Sequence, residues 1–151
     1  MMRKKIILLE SIRSMQNVGA IFRNADGSGF DKLVLTGYTP YPPRNDISKT
    51  ALGAENFINW EYFEDAEKYV RILKEKGYKI YSVELTENAS DYRDLNNSKE
   101  EKVCLIMGNE VDGVSKPLLD LSDEVFFIPM RGKKESLNVS VAAGIVMYSL
   151  D

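Results

Sequence analysis

The amino-acid sequence predicts an α/β domain in which a mainly parallel β-sheet is flanked by helices. Short apolar runs of strand length alternate along the chain with segments of helical periodicity, a pattern typical of parallel sheets. Segments rich in glycine and polar residues directly follow two of the apolar runs, and this is where such sheets bind their ligands. The length of 151 residues suits one domain, so we expect residues 1–151 to form a single unit.

The first third of the chain begins this alternation. Lys5–Leu9 is apolar and is predicted as the first strand. A helix is predicted over Asn17–Ser28, because apolar residues recur there at helical spacing and Gly29 is placed to end it. Leu33–Leu35 predicts a short strand, whereas the prolines of Tyr38–Pro43 exclude a central strand or a helix.

The rest of the chain continues in the same way. Asp65–Lys76 is an amphipathic helix that Gly77 ends, and Lys116–Leu121 is a short helix with Pro117 in its first turn. Asn138–Leu150 is predicted as the last helix, and its apolar residues indicate burial on most faces. The strands predicted between these helices are Phe57–Tyr62, Lys79–Val83, Val103–Met107 and Val125–Ile128.

The composition excludes several kinds of site. The chain contains no His and one Cys, so a His-dependent nucleophile, a His-based zinc site and an intrachain disulfide are ruled out. Cys104 lies in an apolar run and is expected to be a core residue, and no metal is expected. The N-terminal apolar run, Ile6–Leu9, is too short for a signal peptide or a membrane span, so we expect a cytoplasmic protein.

Positive charge is concentrated near the polar segments. The net charge is −3, yet residues 1–50 carry eight Lys or Arg against four Asp or Glu. A second basic cluster consists of Arg131, Lys133 and Lys134. Clustered cations favour a phosphate chain, and an ordinary solvated surface is the alternative interpretation.

The first polar segment, Asn17–Phe30 (NVGAIFRNADGSGF), carries two candidate functional residues. Asn17 can cap a helix or contact a ligand. Arg23 lies nearly two helical turns further on, so we expect both side chains roughly on one side of the helix. Its stem is expected to be packed, and the guanidinium either faces an anion or pairs with Asp26.

The second and third segments follow predicted strands. Leu105–Ser115 (LIMGNEVDGVS) contains Gly108 and Glu110, and a plain strand–turn–helix connection would explain it equally well. Ile128–Met147 (IPMRGKKESLNVSVAAGIVM) places Ser136 and Asn138 at the start of the last helix. Either residue can cap that helix, and two polar residues flanking an apolar one also indicate ligand contact.

Together the three segments resemble the SpoU-like (TrmH-like) branch of the SPOUT superfamily, S-adenosylmethionine-dependent RNA 2′-O-ribose methyltransferases. The resemblance extends over roughly Lys4 to Leu150 and implies a deep trefoil knot in the C-terminal part. It also implies a homodimer whose active sites draw on both subunits, with the first and last helices at the interface. No RNA-binding domain separate from residues 1–151 is expected.

The resemblance assigns residues to two roles. The catalytic residues it implies are Asn17, Arg23, Glu110, Ser136 and Asn138. The residues it implies for binding S-adenosylmethionine are Val83, Leu85, Gly108, Ile128, Met130 and Leu137.

The implied activity is methylation of a ribose 2′-hydroxyl in tRNA or rRNA, without a metal. Arg23 would either lose a proton in a shielded site or stay charged and hold a phosphate. A knotted module that binds RNA or S-adenosylmethionine without turnover is the alternative. A flavodoxin-like nucleotide-binding protein is a third interpretation, which rests on fold class alone.

Overall fold

The structure is a computed structural model, and it describes residues 2–150. Seven strands form one sheet in which every neighbouring pair is parallel, in the order β3-β2-β1-β6-β4-β7-β5. The strands are β1 (Lys4–Glu10), β2 (Lys32–Thr36), β3 (Asn59–Phe63), β4 (Lys79–Val83), β5 (Ser90–Asp91), β6 (Lys102–Met107) and β7 (Glu124–Phe127). The helices are α1 (Met15–Ser28), α2 (Asn45–Ala51), α3 (Ala66–Glu75), α4 (Lys116–Leu121) and α5 (Val139–Ser149), with 3-10 turns at Ala54–Asn56 and Tyr92–Asn97.

The side chains of β1 show that helices pack on both faces of the sheet. Its side chains alternate, so that Ile7 and Leu9 pack in one apolar cluster while Ile6 and Leu8 pack in another. The first cluster includes apolar residues of α1, α2 and α5, and the second includes those of α3 and α4. The predicted α/β architecture with a parallel sheet is therefore confirmed.

The central strands are buried on both faces, as expected for a parallel sheet covered by helices. Cys104 in β6 is fully buried, and burial raises the pKa of its thiol. The expectation that Cys104 is a core residue is confirmed.

All the predicted strands and helices are present, but several boundaries differ and one burial pattern differs in part. The helix α1 begins at Met15, because Ser14 caps it by accepting a hydrogen bond from the N–H of Asn17 at 3.2 Å. Asn17 is therefore not the cap. The helix α5 buries only part of its surface within the chain, since Val141 is 50% exposed and Tyr148 is 64% exposed. These two residues lie on one face of α5 and the other residues of Val139–Ser149 are buried or partly buried, so the expected burial on most faces is confirmed apart from this face.

Two elements were not predicted, α2 and β5. The helix α2 has seven residues and no side-chain cap, so no local signal marks its start. Its position depends on Gly19 of α1: a Cβ there would lie 2.2 Å from the carbonyl oxygen of Ile47 and 2.1 Å from Oγ1 of Thr50. A glycine in α1 thus lets the two helices approach closely beside the first polar segment.

Candidate active site

The three polar segments meet at one edge of the sheet. The strands β1, β6, β4 and β7 are neighbours in the sheet. The carboxyl end of β1 leads into the first segment, that of β6 into the second and that of β7 into the third. Val83, the last residue of β4, pairs with Met107 on one side and with Phe126 on the other. The loops that begin at residues 84, 108 and 128 therefore start side by side. This is the edge at which open α/β sheets bind ligands.

One chain of hydrogen bonds joins all three segments. The side-chain amide of Asn17 donates to Oε2 of Glu110 at 3.2 Å, and Oδ1 of Asn17 accepts from Nδ2 of Asn138 at 3.2 Å. These residues lie 93 and 121 positions apart in the sequence. The structure thus brings together three of the five predicted catalytic residues, and Asn17 is the central one.

Glu110 also holds the start of α1. Its carboxylate accepts hydrogen bonds from the backbone N–H of Arg13 at 2.9 Å and of Ser14 at 3.0 Å. Partial burial alone would raise the pKa of Glu110, but these two N–H groups and the Asn17 amide outweigh it and lower the pKa below its usual value. Glu110 is therefore a fixed anion at this edge.

Its neighbour Asn109 is 8% exposed and fixes the same loop from inside. Its Oδ1 accepts from the N–H of Val111 and of Asp112, which shapes the turn. Its Nδ2 donates to the carbonyl of Ser11 at 2.8 Å and to the hydroxyl of Tyr38 at 2.7 Å. No local pattern in the sequence indicates that Tyr38 reaches Asn109 across 71 positions.

Asn138 and Ser136 behave differently at the start of α5. Asn138 is the cap, and its Oδ1 accepts from the N–H of Ser140 at 2.8 Å and of Val141 at 3.4 Å. Ser136 is exposed and its hydroxyl makes no hydrogen bond within residues 2–150. Of the two predicted caps, only Asn138 fills that role, and the Ser136 hydroxyl stays available to a ligand.

Arg23 departs from two expectations. Its side chain is exposed rather than packed, and it forms neither a hydrogen bond nor an ion pair with Asp26 or any other residue in the described part of the chain. Six residues of α-helix turn through roughly 600°, so Arg23 projects about 120° away from Asn17 around α1. The expectation that both side chains lie on one side of the helix is wrong.

The residues expected to bind S-adenosylmethionine lie on the loops after β4, β6 and β7. Gly108 is buried, and a Cβ there would come within 2.2 Å of the backbone of Gly113 and Val114, so only glycine fits. Leu85 is 68% exposed. The remaining residues of this set are partly buried: Val83, Ile128, Met130 and Leu137.

The backbone of residues 128–137 lies outside any helix or strand and forms no hydrogen bond within residues 2–150. A loop with partly buried apolar side chains and free backbone N–H and C=O groups suits a ligand with an apolar base and polar edges.

Glu84 links these loops. Its N–H donates to the carbonyl of Phe126 at 2.9 Å, and its Oε2 accepts from the N–H of Val114 at 3.0 Å. A Cβ on Gly113 would collide with the same carboxylate. The loops after β4 and β6 and the end of β7 are thus tied together by the backbone and side chain of one residue that the sequence analysis did not single out.

Three exposed cations lie on the loop after β7. Arg131, Lys133 and Lys134 are exposed, and none of them forms an ion pair among the described residues. Residues 2–150 contain no cluster of three or more side chains suited to a metal ion. None of their helices is long and apolar enough to cross a membrane.

The relatives of this chain are RNA-modifying enzymes. The sequence model of the SpoU rRNA methylase family matches residues 4–148, and the chain belongs to that family.

Two curated relatives and one solved structure illustrate the likeness. The chain is 34% identical over 147 residues to the 23S rRNA (guanosine(2553)-2′-O)-methyltransferase RlmP of Bacillus subtilis, covering 97% of this chain and 58% of the relative. It is 33% identical over 142 residues to the tRNA (guanosine(18)-2′-O)-methyltransferase of Thermus thermophilus, covering 94% of this chain and 71% of the relative. The AdoMet-bound rRNA methyltransferase of Sinorhizobium meliloti superposes with a TM-score of 0.90 at 27% identity, over 99% of this chain and 56% of that one. The chain thus spans a little over half the length of two of these three proteins.

Proposed function

We propose that this protein transfers a methyl group from S-adenosylmethionine to a ribose 2′-hydroxyl of tRNA or rRNA. The observation that carries the proposal is the hydrogen-bonded chain of Asn17, Glu110 and Asn138, which joins the three segments beside the loops expected to hold the cofactor. The relatives support the reaction, since their names specify 2′-O-methylation of rRNA or tRNA.

S-adenosylmethionine fits the loops after β4, β6 and β7. Val83, Leu85, Ile128, Met130 and Leu137 offer apolar contacts, and Gly108 lets the backbone approach closely. When bound, the cofactor supplies an electrophilic methyl group on a positively charged sulfur. The residues of this chain need only bind and orient it, because alignment of nucleophile and methyl group lowers the barrier by several kcal/mol.

The polar residues of the site have different roles. Glu110 and Asn17 hold the start of α1 against the loop after β6, which fixes the floor of the site. The hydroxyl of Ser136 and the amide of Asn138 contact the target ribose. Arg23, exposed to solvent, holds the phosphate of the target nucleotide as an electrostatic clamp. Solvent water takes the proton that the 2′-hydroxyl loses when its oxygen bonds to the methyl group.

Arg23 acts in the site of a second copy of the chain. It projects about 120° away from Asn17 around α1, so it faces outward from the site of its own chain. The exposed apolar side chains of α5 support a dimer: Val141 and Tyr148 lie seven positions apart, on one face, and are 50% and 64% exposed. Pairing of α1 and α5 with the same helices of a second copy would bury this face and bring Arg23 to the partner's cofactor.

The C-terminal part forms a trefoil knot. The order β6-β4-β7 places β4 between two strands that follow it in sequence. After β7 the chain runs back to bring Asn138 to Asn17, next to the end of β1, which lies three positions away in the sheet. We infer that this return path passes through the loops after β4 and β6, which would make the knot.

The domain itself contacts RNA, through the exposed cations Arg131, Lys133 and Lys134 beside the site. We place its action in the cytoplasm, where tRNA and ribosomes are found.

Transfer of label from S-adenosylmethionine to RNA tests the proposal. Purified protein is incubated with labelled cofactor and with tRNA and rRNA from a strain lacking it, and mass spectrometry of the nucleosides identifies the product. A 2′-O-methylated nucleoside is the expected result. Cofactor binding without incorporation into any RNA would instead support the non-catalytic module. Replacing Arg23 by Lys should lower the rate of methyl transfer at least tenfold and leave the affinity for the cofactor unchanged. Lysine keeps the charge but cannot make the bidentate contact of arginine to phosphate.

A further inference from the structure

An exposed aromatic ring is held rigidly beside the site. The side chain of Tyr38 is 62% exposed, yet its hydroxyl accepts a 2.7 Å hydrogen bond from Nδ2 of Asn109. Asn109 is buried and precedes Glu110, so the ring is tied to the loop that forms the floor of the site. Large apolar surface that is both exposed and immobilised is suited to a flat ligand, because little side-chain entropy remains to be lost on binding.

The backbone around this ring is equally fixed. The hydroxyl of Thr39 accepts from the N–H of Ile12 at 3.0 Å and donates to the carbonyl of Thr36 at 2.6 Å. The N–H of Gly37 donates to the carbonyl of Glu64 at 3.0 Å. The backbone on each side of Tyr38 is therefore held by hydrogen bonds to neighbouring segments, which fixes the position of the exposed ring.

A cleft that contains two cations lies near the Asn109–Glu110 loop. This cleft of about 720 Å³ lies at the start of α1 and α2 and is lined by Met15, Arg44, Asn45, Asp46, Ser48 and Lys49. Arg44 forms no ion pair within residues 2–150, whereas Lys49 pairs with Asp46 at 3.3 Å at an exposed position. Met15 follows directly on Arg13 and Ser14, whose N–H groups Glu110 holds. The cleft and the Asn109–Glu110 loop thus flank the same short stretch of chain.

We propose that Tyr38 stacks on an unpaired base of the RNA substrate while Arg44 contacts the adjoining phosphate. This inference rests on the proposed function and refines it, since the substrate is then a nucleotide in a loop or single strand rather than in a duplex. Stacking on an aromatic ring needs a base whose face is free, and a paired base in an RNA helix does not offer one. Specific recognition of RNA commonly uses splayed bases of this kind.

The first test measures binding without turnover. A single-stranded oligoribonucleotide containing 2-aminopurine is titrated with the protein, and quenching of its fluorescence reports stacking. We expect quenching by the natural protein and a smaller effect on binding in Tyr38→Phe, which keeps the ring but loses the bond to Asn109. In Tyr38→Ala binding should weaken by about 5- to 100-fold. The same oligonucleotide in a duplex should bind more weakly. Equal affinity of Tyr38→Ala and the natural protein would overturn the inference.

A matched control is available at Phe57, whose ring is 76% exposed but has no bond to the Asn109 loop. Phe57→Ala should leave binding and quenching unchanged. A loss equal to that of Tyr38→Ala would show a general effect of exposed rings and refute the assignment to Tyr38.

The second test uses methyl transfer to RNA from a strain lacking the protein. Tyr38→Ala should raise the RNA concentration needed for half-maximal rate while the affinity for S-adenosylmethionine stays unchanged, which also shows that the variant is folded. An active natural protein with an unaffected Tyr38→Ala variant would reject the stacking role alone. No transfer by the natural protein to any RNA would reject the proposed function, and the binding experiment would still decide the role of Tyr38.

Discussion

The carboxylate of Glu110 should stabilise the fold in a way that depends on its charge. It accepts three hydrogen bonds, from the N–H groups of Arg13 and Ser14 and from the amide of Asn17. Glu110→Gln removes the charge and replaces one accepting oxygen by a donor that faces an N–H. Hydrogen bonds to charged groups contribute about 1.5–3 kcal/mol and neutral ones about 0.5–1.5 kcal/mol, and solvent reduces the difference at an exposed position.

We therefore expect Glu110→Gln to lower the free energy of unfolding by about 1–2 kcal/mol at pH 7. For a domain of this size the midpoint of thermal unfolding should fall by about 2 to 8 °C. Denaturant unfolding followed by circular dichroism gives the free energy directly. A matched control is Asp112→Asn, which removes the same charge from the same loop. Because the Asp112 side chain makes no hydrogen bond among residues 2–150, this variant should unfold at nearly the same free energy as the natural protein.

The pH dependence gives the sharper test. The pKa of Glu110 lies below its ordinary value of 4.5 in the folded protein, so the folded state holds this proton less tightly than the unfolded state. The stabilisation is then complete above pH 4.5 and is lost as the pH falls through the folded pKa. The difference between the natural protein and Glu110→Gln should be constant near neutral pH and shrink below pH 4.5. A difference that stays constant to pH 3, or an equal loss in Asp112→Asn, would refute the reasoning.

Two further substitutions test the packing of the helices. Gly19→Ala should lower the free energy of unfolding by about 1–3 kcal/mol in denaturant, because the added Cβ would meet the backbone of Ile47. In the control Gly132→Ala the added Cβ has no atom within 4 Å, so the free energy of unfolding should change little. Val141→Asp should convert the proposed dimer to a monomer in light scattering, because a charge buried unpaired in an apolar interface is costly. Leu52→Asp, at an apolar side chain that is 67% exposed elsewhere on the surface, should leave the mass unchanged.

The elements that were correctly predicted are those with a strong local signal. Asp65 caps α3, Pro117 lies in the first turn of α4, and Asn138 caps α5, all as the residue types indicate. The helix α2 was missed because no side chain caps it and its seven residues depend on contact with α1 at Gly19. The two residues of β5 carry too little pattern to predict a strand at all.

The site was predicted in part for a related reason. Motifs identify residue types, and three of these residues, Asn17, Glu110 and Asn138, do meet. The direction of a side chain depends on helix phase, and this is where the expectation for Arg23 failed. Contacts between distant segments, such as those of Glu84 with Val114 and of Tyr38 with Asn109, have no local signature. They arise only when parallel strands place their loops side by side.

The hydrogen bonding separates two groups among the polar residues of the three segments. Asn17, Asn109, Glu110 and Asn138 bond to one another or to backbone, so their geometry is set before any ligand binds. Arg23 and Ser136 make no such bonds within residues 2–150. Preorganised groups stabilise a transition state because they need no reorganisation during the reaction. Side chains without hydrogen bonds can instead change conformation to contact a bound ligand. Under the proposed function, the phosphate of the target nucleotide meets Arg23 and its ribose hydroxyl meets Ser136.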